Sequence, residues 1–112
     1  MKKVMISQPM NCKTNEQILV ERHKLASELA EEGLQVIDTV IKEDAPKDID
    51  EAIYYLAKSI EFIGQVDIVL FMKGWEKARG CRIEHQVAVE YGKEIIYCNW
   101  GEWLDEKNEN II

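Results

Sequence analysis

The stretch Val66-Asp-Ile-Val-Leu-Phe-Met72 decides the fold of this chain. All of its residues except the Asp are apolar, which is typical of a strand in a parallel sheet that helices cover on both faces. A polar loop, Lys73–Arg79, follows, and Gly80 opens a helical pattern that ends at Gly92. The inner side of this helix is predicted to carry Ile83, Val87, Ala88 and Tyr91. A buried strand, a loop and a helix in this order predict a unit of an α/β domain.

The first part of the chain repeats this unit. Residues 2–7 predict a strand, and Thr14 and Gln17 have the spacing of a capping box that begins a helix. Gly33 ends that helix, as glycine commonly does one residue beyond the last turn. One face of this helix is predicted to carry Ile18, Arg22, Leu25 and Leu29, with Leu19, Ala26 and Ala30 beside them. Residues Leu34–Asp38 predict a second strand.

The middle and the end of the pattern complete the alternation. A polar loop over residues 39–47 precedes a second capping box, formed by Asp48 and Glu51. The helix that follows has apolar positions at Ala52, Leu56, Ile60 and Ile63, flanked by Ile53, Tyr55 and Ser59. Glu94–Cys98 predicts a fourth strand. The order βαβαβαβ predicts one Rossmann- or flavodoxin-like three-layer α/β domain over residues 1–112. Its parallel sheet has four or five strands in the order 2-1-3-4.

Composition narrows the class of partner. The formal net charge is −7, and no basic cluster stands out beyond scattered Lys and Arg, so a nucleic-acid partner is not expected. No apolar run approaches the roughly 20 residues that span a bilayer, so no membrane association is expected. The three cysteines contain no C-x-x-C pair, which favours reduced thiols, a cytoplasmic location and no structural metal.

The predicted topology locates a site. Open parallel sheets bind ligands beyond the carboxyl ends of their strands, where the strand order reverses. With the order 2-1-3-4, the loops Gln8–Lys13 and Lys73–Arg79 flank that crevice. The third helix begins at the second loop, and the free N–H groups at its start favour an anion.

Glu84 lies about one turn inside that helix. The helix start favours its ionised form, and an ionised carboxylate that faces a crevice can attack a sugar carbon. On position alone, the ordinary alternative is a favourable surface residue in the first turn of a helix.

Two sequence motifs favour the interpretation of Glu84 as a nucleophile over that of a surface residue. Residues 6–10 read Ile-Ser-Gln-Pro-Met, and residues 74–92 contain Gly74-Trp75-Glu76, Arg79-Gly80, Glu84, Ala88 and Gly92. Together they resemble the nucleoside 2-deoxyribosyltransferase superfamily, and most closely a small phage and bacterial branch catalogued as a domain of unknown function. The resemblance covers nearly the whole chain, because the order of strands and helices agrees as well.

The resemblance implies that Glu84 is the nucleophile that attacks the anomeric carbon and displaces the base. The loop with Pro9 and Met10 then lines the sugar or base pocket. Two positions depart from the pattern: Ala78 stands where the transferases usually carry an Asp, and Gln8 stands where the branch usually carries Gly.

Further candidates follow, each with an alternative. Glu76 is a candidate general acid or a solvated loop charge, and Asp67 is a second carboxylate or a cap on the turn into its strand. Arg79, Arg82 and the Gly80 amide are candidates for a phosphate, with Arg82 otherwise a solvent-facing helix residue. Trp75 stacks on a base or closes the core, and Met10 contacts the base or packs under its loop. Ser7 and Gly74 are assigned to substrate binding with their motifs.

Two functions remain open. The first is an enzyme that hydrolyses the N-glycosidic bond of a nucleoside or nucleotide, or transfers its sugar, without metal or dissociable cofactor. The second is a binding protein that sequesters a nucleotide or a nucleotide-derived signal on the same scaffold. A homo-oligomer is also expected, with Trp100, Trp103 and Ile111-Ile112 available for an interface.

Overall fold

A computed structural model describes residues 1–10 and 13–98, and strands and helices alternate within them as predicted. The elements are β1 (Lys3–Ser7), α1 (Asn15–Glu31), β2 (Gln35–Val36), α2 (Glu51–Ile63), β3 (Ile68–Met72), a short 3-10 helix (Trp75–Lys77), α3 (Arg79–Glu90) and β4 (Glu94–Cys98). The four strands are parallel and lie in the order β2-β1-β3-β4. The predicted α/β fold and strand order are therefore confirmed. Trp100, Trp103 and the terminal isoleucines lie outside the described residues.

Two apolar cores sandwich the sheet. On one face, Leu25 and Leu29 of α1 pack against β1 and β3. On the other face, Ile63 of α2 and Ala88 of α3 pack against Met5, Val69 and Phe71. Every residue of β3 is buried, because both of its faces are covered. Of the helices in residues 1–10 and 13–98, none is both long and apolar enough to cross a bilayer.

Helix ends follow local chemistry, with one correction. Thr14 forms the predicted capping box with Gln17, and Gly33 ends α1 at φ 84°, a conformation that suits glycine. The predicted cap of α2 at Asp48 is wrong. The Ile49 amide bonds to the Pro46 carbonyl in a turn that spans that position. Asp50 caps α2 instead, and its Oδ1 accepts from the Ile53 amide at 3.1 Å.

The predicted inner face of α3 is also wrong in part. Ala88 is buried as expected, but Ile83 and Tyr91 are 37% and 78% exposed. The buried positions are Cys81, Glu84 and Ala88. These small side chains and one carboxyl group face the sheet and α2, and the carboxyl group has polar partners there. The spacing of apolar residues alone could not predict that a carboxyl group would be buried there with polar partners.

Candidate active site

The carboxyl group of Glu84 is buried at the carboxyl end of β1. Glu84 is 8% exposed, and its Oε1 accepts a hydrogen bond from Ser7 Oγ at 2.6 Å. Ser7 is the last residue of β1 and pairs with Phe71 of the neighbouring β3. These two strands are the ones between which the chain order reverses. The carboxyl group thus lies where open α/β sheets bind ligands.

Opposing effects set the pKa of Glu84. Burial is the largest, and it raises the pKa above the ordinary value of 4.5 because it disfavours the charged form. Hydrogen bonds from the hydroxyls of Ser7 and Ser59 and the positive charge of Arg22 act in the opposite direction. The net result is a raised pKa. A buried carboxyl group with such a shift is a frequent property of functional sites.

Arg22 approaches from the opposite face of the sheet. Its Nε donates to Gln8 Oε1 at 3.1 Å, and its Nη1 donates to Thr39 Oγ1 at 3.0 Å. Burial lowers the pKa of the guanidinium, whereas the carboxylates of Asp38 and Glu84 raise it. Gln8, which binds this guanidinium, directly follows Ser7, which binds Glu84, so the two charged groups approach the same end of β1.

Cys81 lies one turn before Glu84 on α3 and is buried. Burial raises the pKa of its thiol, the polar side chain of Ser7 lowers it, and the Glu84 charge raises it. A thiol in this environment stays protonated and is a poor nucleophile. The carboxyl group is the better candidate for covalent chemistry here.

Pro9 of the first predicted loop lies beside Gly74 of the second. Gly74 adopts φ 92°, and a Cβ added there would lie 3.7 Å from Pro9 Cγ. Pro9 is buried, while Met10 is 56% exposed at the same loop. Because Pro9 follows Ser7 by two residues, Pro9 and Gly74 lie at the strand end whose Ser7 binds Glu84.

Trp75 already has aromatic partners. Its ring stacks on His85 with centroids 4.2 Å apart, and it lies 5.4 Å from the Phe71 ring. His85 Nε2 and the Tyr97 hydroxyl are hydrogen-bonded at 2.7 Å. Trp75 also packs against the core that contains Phe71. These contacts favour the core-closing alternative for Trp75 over stacking on a base.

The two arginines predicted to bind a phosphate, Arg79 and Arg82, differ in their existing contacts. Arg82 is exposed, and its Nη1 donates to the Glu76 carbonyl at 3.0 Å, which fastens α3 to the 3-10 helix. Arg79 is exposed at the first position of α3, followed by half-buried Gly80. The side chain of Glu76 is exposed to solvent. Arg79 is thus better placed than Arg82 to receive an anion at the helix start.

Asp67 does not join the site. It precedes β3, and its Oδ2 accepts from the Lys3 amide at 2.9 Å, at the amino edge of the sheet. Phe71, which pairs with Ser7, lies four residues further along, or about 13 Å at the rise of a strand. Asp67 is therefore the turn cap that the sequence offered as its alternative role.

Two residues near Glu84 were not among the predicted site residues. Arg22 had a signal, since a charged residue falls on the predicted apolar face of α1. For Ser59 the sequence offered no signal beyond its position beside the apolar face of α2. In residues 1–10 and 13–98, no group of three or more His, Cys, Asp or Glu side chains is placed to hold a metal ion.

Comparisons with known proteins place the chain in context. No curated protein matches it. Its fold is similar to that of a solved structure, the CMP N-glycosidase BcmB from Clostridium botulinum, with a TM-score of 0.56 and 22% identity. The match covers 90% of this chain and 72% of that one. At this identity the likeness concerns the fold. The family model for the domain of unknown function DUF4406 matches residues 2–97, and the chain therefore belongs to the DUF4406 family.

Proposed function

We propose that this protein breaks the N-glycosidic bond of a nucleoside or nucleotide, with Glu84 as the nucleophile. The observation that carries the proposal is the buried Glu84 carboxyl group, hydrogen-bonded to Ser7 at the reversal point of the sheet. The likeness in fold to a protein named as a CMP N-glycosidase supports this class of substrate. A small nucleoside or nucleotide is thus the proposed partner, in the cytoplasm.

The chemistry proceeds in two displacements. A Glu84 oxygen forms a bond to the anomeric carbon, and the base departs with the electron pair of the broken C–N bond and takes up a proton. Water, or a second base in a transfer reaction, then attacks the same carbon and releases Glu84. Because only the ionised carboxylate attacks, base release should increase as the pH rises through the raised pKa of Glu84.

The remaining candidates have proposed roles of their own. Glu76 is the candidate acid for the leaving base, while Asp67 is too far from Glu84 for this role. Arg79 and the Gly80 amide are the proposed contacts for a 5′-phosphate, with Arg82 holding the loop in place. The proposed pocket for the sugar and the base is shaped by Ser7, Pro9, Met10 and Gly74, while Trp75 closes the core beside it.

The test is a panel of ribo- and deoxyribonucleosides and their 5′-monophosphates. Released base and retained ligand are measured by mass-resolved chromatography for the wild type, Glu84→Gln and Glu90→Gln. Glu90 makes the matched control, because it is exposed on the same helix. We expect base from the wild type and from Glu90→Gln but not from Glu84→Gln. Equal release by the wild type and both variants would refute the role of Glu84.

A second function is supported by one observation. The groups that act most strongly on Glu84 are two hydroxyls and a guanidinium, and no second carboxyl group is among them. If neither Glu76 nor another group protonates the leaving base, we expect the site to hold a nucleotide rather than cleave it. Ligand that stays intact on both the wild type and Glu84→Gln, with no base released, would establish this binding function.

We further propose that the protein is a homo-oligomer. A domain of this size buries only a modest fraction of its surface by itself. Sedimentation velocity over a range of concentrations tests the prediction, and a single species with the mass of one chain, 13.0 kDa, would contradict it.

A further inference from the structure

We propose that Arg22 is a positioning residue, anchored by Gln8 and Thr39 on one face of the sheet so that its charge acts on Glu84 on the other. The proposal rests on the proposed function for its catalytic meaning. It concerns a residue on α1, outside both motif loops.

The end of β1 provides the geometry. Successive side chains of a strand point to opposite faces of a sheet. Ser7 accordingly contacts Glu84 of α3, whereas Gln8, the next residue, contacts α1. The Gln8 side chain is buried and uses its amide nitrogen on the Ile18 carbonyl at 2.9 Å, which leaves its oxygen directed at Arg22 Nε. Gln8 thus links the helix that carries Arg22 to the strand end that holds Glu84.

The hydrogen bonds to Gln8 and Thr39 fix the orientation of the Arg22 guanidinium. The Gln8 amide oxygen accepts a hydrogen bond from Nε of the planar guanidinium, and the Thr39 hydroxyl accepts one from Nη1. A lysine has one flexible point charge and cannot reproduce this fork. Gln8 is itself fixed by Glu21, whose carboxylate pairs with Lys13 at 2.9 Å. The guanidinium is therefore held by groups on two different segments of the chain, one after β1 and one after β2.

The surroundings of Glu84 show why the charge matters. The Ser7 hydroxyl from β1 binds it at 2.6 Å, and the Ser59 hydroxyl from α2 and the Arg22 guanidinium from α1 also lower its pKa. The Cys81 thiol lies one turn before it on α3. Asp38, after β2, faces Arg22. Lys13 acts on the Cys81 thiol, whereas Arg22 is the cation that acts on Glu84 itself. Arg22 therefore offsets the burial of the carboxylate with a full charge, which the hydroxyls do not carry.

The experiment measures the charge state of Glu84 directly. Carboxyl ¹³C resonances are followed against pH by NMR, and the Glu84 signal is identified by its loss in Glu84→Gln. In Arg22→Gln we expect the Glu84 titration midpoint to move to higher pH than in the wild type. Arg22→Lys should move it less. Lys2→Gln, which removes a cation paired with Glu94 on the exposed surface, should leave it unchanged.

The outcome does not depend on enzymatic activity. An unchanged midpoint in a folded Arg22→Gln would overturn the proposal, even if base release fell. If Arg22→Gln does not fold, Thr39→Val replaces it, because it removes one anchor and keeps the charge. An upward shift in that variant supports the proposal, and an unchanged midpoint overturns it. If the wild type releases no base, the proposed function fails while the titration still tests the role of Arg22.

Discussion

Replacing Glu84 with Gln should stabilise the protein, and the gain should grow with pH. Burial is the largest influence on this carboxyl group and raises its pKa above 4.5, so ionising it costs free energy that the unfolded chain does not pay. Gln has nearly the same shape, still accepts from Ser7 and carries no charge. The variant therefore removes the cost and keeps the hydrogen bond.

The size and the pH window follow from proton linkage. Below about pH 4.5, the carboxyl group is protonated in both states, and the wild type and the variant should differ little. Above it, the unfolded chain loses its proton first. The wild type then loses stability relative to Glu84→Gln by at most about 1.4 kcal/mol per pH unit. The difference becomes constant once the pH passes the folded-state pKa.

Urea unfolding from pH 4 to pH 8 provides the assay. Only the difference between the two proteins is interpreted, because a net charge of −7 gives the whole chain its own pH dependence. Glu90→Gln, an exposed change on the same helix, reports the effect of the substitution outside the buried site. A constant difference across this range would refute the reasoning. A wild type that gains on the variant as the pH rises would show that Ser7, Ser59 and Arg22 outweigh burial.

Three other predictions concern single groups. Ser7→Ala should cost about 2 kcal/mol of unfolding free energy at pH 8, because it removes a charge-assisted hydrogen bond, and less in a Glu84→Gln background where the acceptor is neutral. Equal costs in both backgrounds, measured in urea, would contradict this. Asp50→Ala should cost about 1 kcal/mol in the same assay through the lost cap on the Ile53 amide, whereas Asp48→Ala should cost little. Burial raises the pKa of Cys98 to about 11, so its alkylation by iodoacetamide should stay slow below pH 10, and rapid labelling at pH 8 in peptide maps would contradict this.

Short-range sequence patterns were enough to predict much of the fold. The run from Val66 to Met72 predicted a strand with both faces covered, and β3 is indeed buried throughout. The capping box at Thr14 and the glycines after α1 and α3 have short-range causes, in hydrogen bonds and backbone conformation within a few residues. Once the alternation of strands and helices is known, few chain orders remain, and the order 2-1-3-4 was among them.

What the sequence determined by itself was the place of Glu84, one turn into a helix that follows the central strand. Only the tertiary structure decided its partners, because Ser7, Ser59 and Arg22 lie 25 to 77 positions away along the chain and meet it by packing. The same reason explains the errors. A carboxyl group can replace an apolar residue on the inner face of α3 only when hydroxyls from other elements reach it. Asp67 belongs to the amino edge because strand direction, not residue type, assigns it there.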